Sequence, residues 1–159
     1  MVILLFILHT VKEQDLKMII RQLVTEDYDA LVALWREAAL SHRPNGRDCL
    51  ERIAHEIAGT TAIFLVAESK ERIIGAILGT HDGRKGWINR LAVVPSHQQQ
   101  GVATALVAAV EKQLSELGIE IVACLIEEWN KDSAVFFGKL GYHCHSDIHY
   151  YSKRKDAVV

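Results

Sequence analysis

A strand that stops at a proline, a polar loop, and a glycine heading a long amphipathic helix constrain this chain more than any other feature. Residues 87–94 read as a β-strand that Pro95 ends. Ser96, His97, Gln98, Gln99 and Gln100 form the loop. Residues 101–117 then read as a helix with Val102, Leu106, Ala109, Val110 and Leu114 along one side. Gly118 closes it, and residues 119–126 are a near-continuous apolar run, the pattern of a strand covered on both faces. Strand, helix and strand in that order call for a sheet with a helix laid across it.

The rest of the chain fits such a sheet. Residues 19–23 read as a short strand, and Thr25 as the N-cap of a helix from Glu26 carrying Tyr28, Leu31, Val32 and Trp35 at helical spacing. Residues 41–47, with Pro44 and Asn45-Gly46, are the most loop-like stretch. Asp48 reads as the cap of a second helix with Leu50, Ile53, Ala54 and Ile57 inside, stopped by Gly59 in the left-handed position past its end. Residues 62–68 and 72–81 are strands joined by a hairpin-length connection, and 82–86 turns the chain into the strand at 87–94. A short helix at 130–140 precedes a final strand pair at 142–145 and 148–154. The order β-α-α-β-β-β-α-β-α-β-β is an α+β layout around one mixed sheet.

Composition narrows the function classes. A chain of 159 residues, 50% hydrophobic and 24% charged, is sized and composed for one globular domain, which excludes disordered and collagen-like readings. A net charge of −2 leaves no electrostatic footprint for nucleic acid. The longest apolar run, residues 2–8, is far shorter than the ~20 residues of a membrane span. It lacks a basic leader, so residues 1–17 read as an N-terminal extension or a misassigned start, with the domain at 18–155. Cys49, Cys124 and Cys144, odd in number and widely spaced, fit a reducing compartment, and the cytoplasm is the expected location.

Gly101 and Ala103 at a helix start are where chemistry first suggests itself. Small residues there let a phosphate approach the backbone, and unpaired N–H groups with the helix dipole favour an anion. The same residues equally suit close packing of the helix on its sheet. A dinucleotide-binding unit would need G-x-G-x-x-G after the first strand, and this turn follows the fourth with no third glycine. His143-Cys144-His145 with His149 invites a metal, but no C-x-x-C or H-x₃-H pair supports one, and ordinary strand polar residues are the expectation.

The stretch Leu91-Ala92-Val93-x-Pro95, followed by Gln98-x-x-Gly101-x-Ala103, resembles the Q/R-x-x-G-x-G/A signature of the GNAT N-acetyltransferase superfamily. A second stretch, Asn130-x-x-Ser133-x-x-Phe136-Phe137-x-x-Leu140-Gly141-Tyr142, is similar to that family's N-x-x-A-x-x-F-Y-x-x-x-G-F segment. The wording from Trp87 to Val93, with Tyr150 to Arg154, looks closest to small bacterial YpeA-like acetyltransferases. The resemblance implies a GNAT fold: a mixed, mostly antiparallel sheet with helices on both faces and splayed central strands. It implies acetyl-CoA as co-substrate and a primary amine as acceptor, with no metal. Leu91, Ala92 and Val93 would meet the pantetheine arm, and Gln99, Gln100, Gly101, Val102, Ala103 and Thr104 the pyrophosphate, with Gln98 also among the cofactor-binding residues. Asn130 would bond the pantetheine or cap its helix, and Phe136 and Phe137 would pack against the cofactor and core. The fold leaves room for a homodimer.

Catalytic groups do not transfer by position. Many members carry a tyrosine where this chain has Phe137, and phenylalanine donates no proton. Trp87 and Leu125 stand where other members place a glutamate. Glu127 and Glu128, where the fifth strand ends, are the nearest carboxylates for a water-bridged base, with Asp82 and His81 second and Tyr142, Tyr150 and Tyr151 as phenols. Arg43, Arg47 and Arg90 are candidates to pair with an anionic acceptor group. The rivals are a non-catalytic acyl-CoA-binding domain and a transferase for another short acyl group.

Overall fold

A computed structural model describes residues 17–153; the extension up to Asp15 and Leu16, and the chain from Arg154 onward, lie outside the described residues. Strands β1 (Ile19–Gln22), β2 (Ala62–Ser69), β3 (Arg72–His81), β4 (Gly86–Val93) and β5 (Val122–Cys124) form one sheet in chain order. The first four pair antiparallel, and β5 joins β4 in parallel. Helices α1 (Tyr28–Glu37), α2 (Leu50–Ala58), α3 (Val102–Glu116) and α4 (Lys131–Lys139) surround it. Lys70 and Glu71, both at positive φ, make the two-residue turn between β2 and β3. That backbone hand matches the twist of a tight hairpin.

The two faces of the sheet are covered differently. Leu31, Leu34 and Trp35 of α1 are buried with the β2 and β3 side chains. On the opposite face, α3 lies close because glycines clear its path: a Cβ at Gly79 would stand 2.6 Å from Val110 Cγ1, and one at Gly86 2.5 Å from Leu114 Cδ1. Val110 is buried and β-branched, so its methyl cannot rotate aside. Gly79→Ala is therefore expected to cost ~1–3 kcal/mol by overpacking, read as a lower urea midpoint.

Both expected caps are corrected. Thr25 lies inside a 3₁₀ turn (Thr25–Asp27), and the stabilising contact runs the other way, the Val24 N–H donating to Asp27 Oδ2 at 3.0 Å. Arg21 bonds the same carboxylate at 2.6 Å and holds its pKa below the usual range. Asp48 precedes the N-cap position, which Cys49 occupies, and its side chain turns inward instead. Gly59 ends α2 at φ −75°, an extended conformation rather than a left-handed one. Gly118 does adopt the left-handed conformation past α3, at φ +77°.

The strand expected at 119–126 shrinks to Val122–Cys124, half-buried throughout, because β4 offers a partner only as far as Ile88. The final strand pair is absent among the described residues: 143–153 is exposed and irregular, with Ile148, Tyr150 and Tyr151 facing solvent. Alternating apolar residues there find no neighbouring strand to bury them.

Candidate active site

The shape of the site follows from how β4 is paired on its two sides. Against β5 it pairs Gly86 with Val122, Trp87 with Ala123 and Ile88 with Cys124, and there the ladder ends. Against β3 it continues to Val93, but Leu78 faces Arg90 while Gly79 faces Ile88. Asn89 is thus the extra residue of a β-bulge, which bends the strand and re-aims its side chains. From Asn89 to Val93 the β4 edge turned away from β3 is left without a strand partner among the described residues. The splay expected of the central strands is present.

Beyond the open edge comes the loop of residues 94–101. The Val94 N–H points to Ile74 O on β3 at 2.9 Å, so the Val93 carbonyl of the same peptide points to the open side. Gln98 Nε2 donates to that carbonyl at 3.0 Å, and Gln100 Nε2 to Ser96 O at 2.9 Å. Both side chains brace the loop. Gln99 and Gly101 take positive φ, at +58° and +82°, and a Cβ at Gly101 would meet nothing within 4 Å. No side chain caps α3, whose first internal bond runs from the Ala105 N–H to Gly101 O. The N–H groups of Val102, Ala103 and Thr104 therefore open the helix toward whatever sits before it. Val102 itself is buried against the Gly75 backbone, so its contribution to a ligand is its N–H alone. An uncapped helix head beside a bare glycine suits a pyrophosphate.

On the other side of the splay stands α4. Asn130 Oδ1 accepts the Ser133 N–H at 3.1 Å, so of its two expected roles the structure shows helix capping. Phe137 is buried, its ring edge-on to Phe136 at 5.2 Å and to Tyr142 at 5.0 Å. Tyr142 donates to Glu111 Oε1 at 2.7 Å, and burial together with that carboxylate pushes its phenol far above the usual range. A phenol so held is a reluctant proton donor. Burial likewise raises the Cys124 thiol, which disfavours the thiolate that a nucleophile would need.

The remaining candidates are spread out. Glu127 and Glu128 lie exposed on the turn between β5 and α4. Asp82 Oδ1 accepts the N–H groups of Arg84 and Lys85, both at 2.8 Å, which lowers its pKa and marks it as a turn former. His81 Nε2 lies 3.1 Å from Thr60 O. Tyr150, Tyr151, His143, His145 and His149 are exposed, and no three metal-ligating side chains converge among the described residues. No helix there is long and apolar enough to cross a membrane.

Arg90 is not available to pair with an acceptor. Its guanidinium bonds Asp48 Oδ1 at 2.9 Å and Oδ2 at 3.0 Å, reaches Ser41 O at 3.2 Å, and lies 4.8 Å over the Trp35 ring. Asp48 Oδ2 also accepts the Arg43 N–H at 2.6 Å, and Arg47 stands 3.8 Å away. This cluster walls a cavity of about 520 Å³ between the α1–α2 loop, Glu56 of α2 and the bulged residue Asn89. Neither the cluster nor the bulge was expected from the sequence. The cluster joins Asp48 to Arg90, 42 residues further along the chain, and the bulge lies in the pairing of β4 with β3, so each forms only when separate segments meet.

A strand pair splayed at a bulge, with an uncapped glycine-headed helix beside it, is the arrangement that the resemblance to the GNAT superfamily implies. Residues 20–142 match the model of the Acetyltransferase (GNAT) family, and the chain belongs to that family. It is 30% identical over 136 residues to acetyltransferase plu1384 of Photorhabdus laumondii, covering 85% of this chain and 94% of that protein. Among solved structures it resembles the PaiA N-acetyltransferase of Thermoplasma acidophilum in complex with coenzyme A. That likeness has a TM-score of 0.75 at 20% identity, over 83% of this chain and 93% of that one. The aminoglycoside N-acetyltransferase AAC(6')-Iy in complex with CoA matches at TM-score 0.75 and 21% identity, over 87% and 95%. At such identities the two structures speak for the fold.

Proposed function

We propose that the protein transfers an acetyl group from acetyl-CoA directly to a primary amine of a small molecule, peptide or protein. The observation that supports this most is the open β4 edge running into the uncapped head of α3 at Gly101. Leu91 to Val93 would hold the amide-rich pantetheine by backbone bonds, and Gln99 to Thr104 the pyrophosphate. The thioester would then lie in the gap beside Asn89. Holding amine and thioester in line supplies much of the rate, since CoA thiolate is already a tolerable leaving group. Glu127 and Glu128, exposed between β5 and α4, are the carboxylates that the sequence offers for a water-bridged base. The cytoplasm, where acetyl-CoA is made and used, is the setting proposed.

A CoA-release screen over amino acids, polyamines, aminoglycosides and peptide N-termini tests the reading. At least one class should release thiol in step with acetylated product. Acetyl-CoA binding with no release from any class would favour a non-catalytic sensor instead, the reading that Phe137 in place of a tyrosine keeps in play. Phe137→Tyr separates the two further. If the leaving thiolate is protonated without a phenol, turnover should change by less than tenfold, about 1.4 kcal/mol of barrier. A much larger gain would mark the native chain as catalytically impaired.

A further inference from the structure

We propose that Glu56 is the general base of this transfer, removing the proton of an alkylammonium acceptor held in the cavity between the α1–α2 loop and the β4 bulge. The inference rests on the acetyltransfer reading and deepens it.

Asn89 ties the cavity to the thioester gap. It is the first β4 residue past the last β5 pair, and it also lines the cavity of about 520 Å³. An amine lodged there lies beside the place where the carbonyl would sit. Of the ionisable groups on the wall, Asp48 and Arg90 are locked together and further bonded to the Arg43 N–H and Ser41 O, and Arg47 leans on Asp48. Glu56 is different. Its carboxyl makes no hydrogen bond or ion pair among the described residues, yet it is half-buried. Burial raises its pKa, the Arg90 charge opposes this, and the Asp48 charge adds to it. A carboxylate made more basic by burial takes an ammonium proton more readily than a solvated one. The other carboxylate-lined cavity, of about 240 Å³, offers no such group: Arg21 holds Asp27 and Glu68, Arg72 holds Glu37, and Glu71 is exposed on the β2–β3 turn.

The step balances as follows. The ammonium gives one proton to the Glu56 carboxylate, and its nitrogen lone pair attacks the thioester carbonyl carbon. The tetrahedral adduct collapses as the C–S bond breaks, with the electron pair leaving on sulfur. The second nitrogen proton passes to the thiolate, yielding amide and CoA thiol, and Glu56 returns its proton to water.

The test compares wild type, Glu56→Gln and Glu56→Asp between about pH 6 and 9, using the most active amine of the release screen at saturating acetyl-CoA. Glu56→Gln should lower kcat by roughly tenfold or more at pH 7, with the gap narrowing as the amine arrives deprotonated. Glu56→Asp should recover part of the loss. The acetyl-CoA Kd should not move. Tm at neutral pH should hold or rise, because a carboxyl whose folded pKa is raised loses stability as pH climbs through that value. A loss equal at every pH, or a fall in Tm together with acetyl-CoA affinity, would overturn the proposal in favour of a structural role. Glu127→Gln with Glu128→Gln reproducing the narrowing gap, while Glu56→Gln does not, would move the base to the β5–α4 turn. Release by wild type and Glu56→Gln alike defeats Glu56 alone. No release by wild type from any amine defeats the transfer reading, and Glu56 with it.

Discussion

Gly101→Glu is expected to weaken acetyl-CoA binding by ~100-fold or more, ~2.8 kcal/mol, in calorimetric titration. Two effects add. The new carboxylate would occupy the open space before α3 where free N–H groups would draw a phosphate, and it would repel that phosphate. Its backbone would also be forced to hold φ +82°, a conformation that side chains other than glycine's adopt at a cost. Gly101→Ala carries the backbone strain alone, so the difference between the two variants isolates the combined effect of the side chain's bulk and charge. Far-ultraviolet circular dichroism should show both folded, because no neighbour is within 4 Å of the added carbon. Unchanged affinity in the glutamate variant would place the phosphates elsewhere.

Asp48→Ala should be the most destabilising single change in the wall of the cavity. Asp48 is 3% exposed and answers Arg90 and the Arg43 N–H at once. Burial already pushes the Arg90 guanidinium pKa down despite that carboxylate. Removing the partner leaves a poorly solvated charge uncompensated, a situation that typically costs 3–5 kcal/mol. A fall in Tm of roughly 10 °C is expected for a domain of this size. Asp48→Asn, which still offers an oxygen to the Arg43 N–H, should lose less. Equal stability in all three proteins would mean that the Trp35 face alone suffices to hold Arg90 in place.

What the sequence discloses and what it hides follow from where the information lies along the chain. The strands from 62 to 94 and the helix behind Gly101 are marked by local signals: β-branched runs, a two-residue turn, Pro95, and glycines at the helix ends. The turn into α3 was legible because glycine marks its backbone, and Gly101 does take a positive φ there. The bulge at Asn89 adds one residue to a strand without altering its hydropathy, so nothing in the residue order marks it. Residues 119–126 are apolar, but a run reports a wish for burial and not a partner. Leu125 remains 64% exposed where β4 has turned away, and Ile121, ahead of the first β4 pair, 54%. Asp48 looked like a cap because it precedes an apolar helix, whereas its partner lies on a strand reached only by folding. Glu56 sits at a half-buried helical position like many surface glutamates, and only the cavity sets it apart.

Amide hydrogen exchange with and without acetyl-CoA tests the central claim most directly. Its premise is that the co-substrate lies along the open β4 edge and against the head of α3. Protection on binding should concentrate at Leu91 to Val93 and at Gln99 to Thr104, with a smaller effect around Asn130. The β1–β2 edge and the exposed segment 143–153 should be unchanged. Protection that appears there while the β4 edge and α3 head exchange as before would contradict the account.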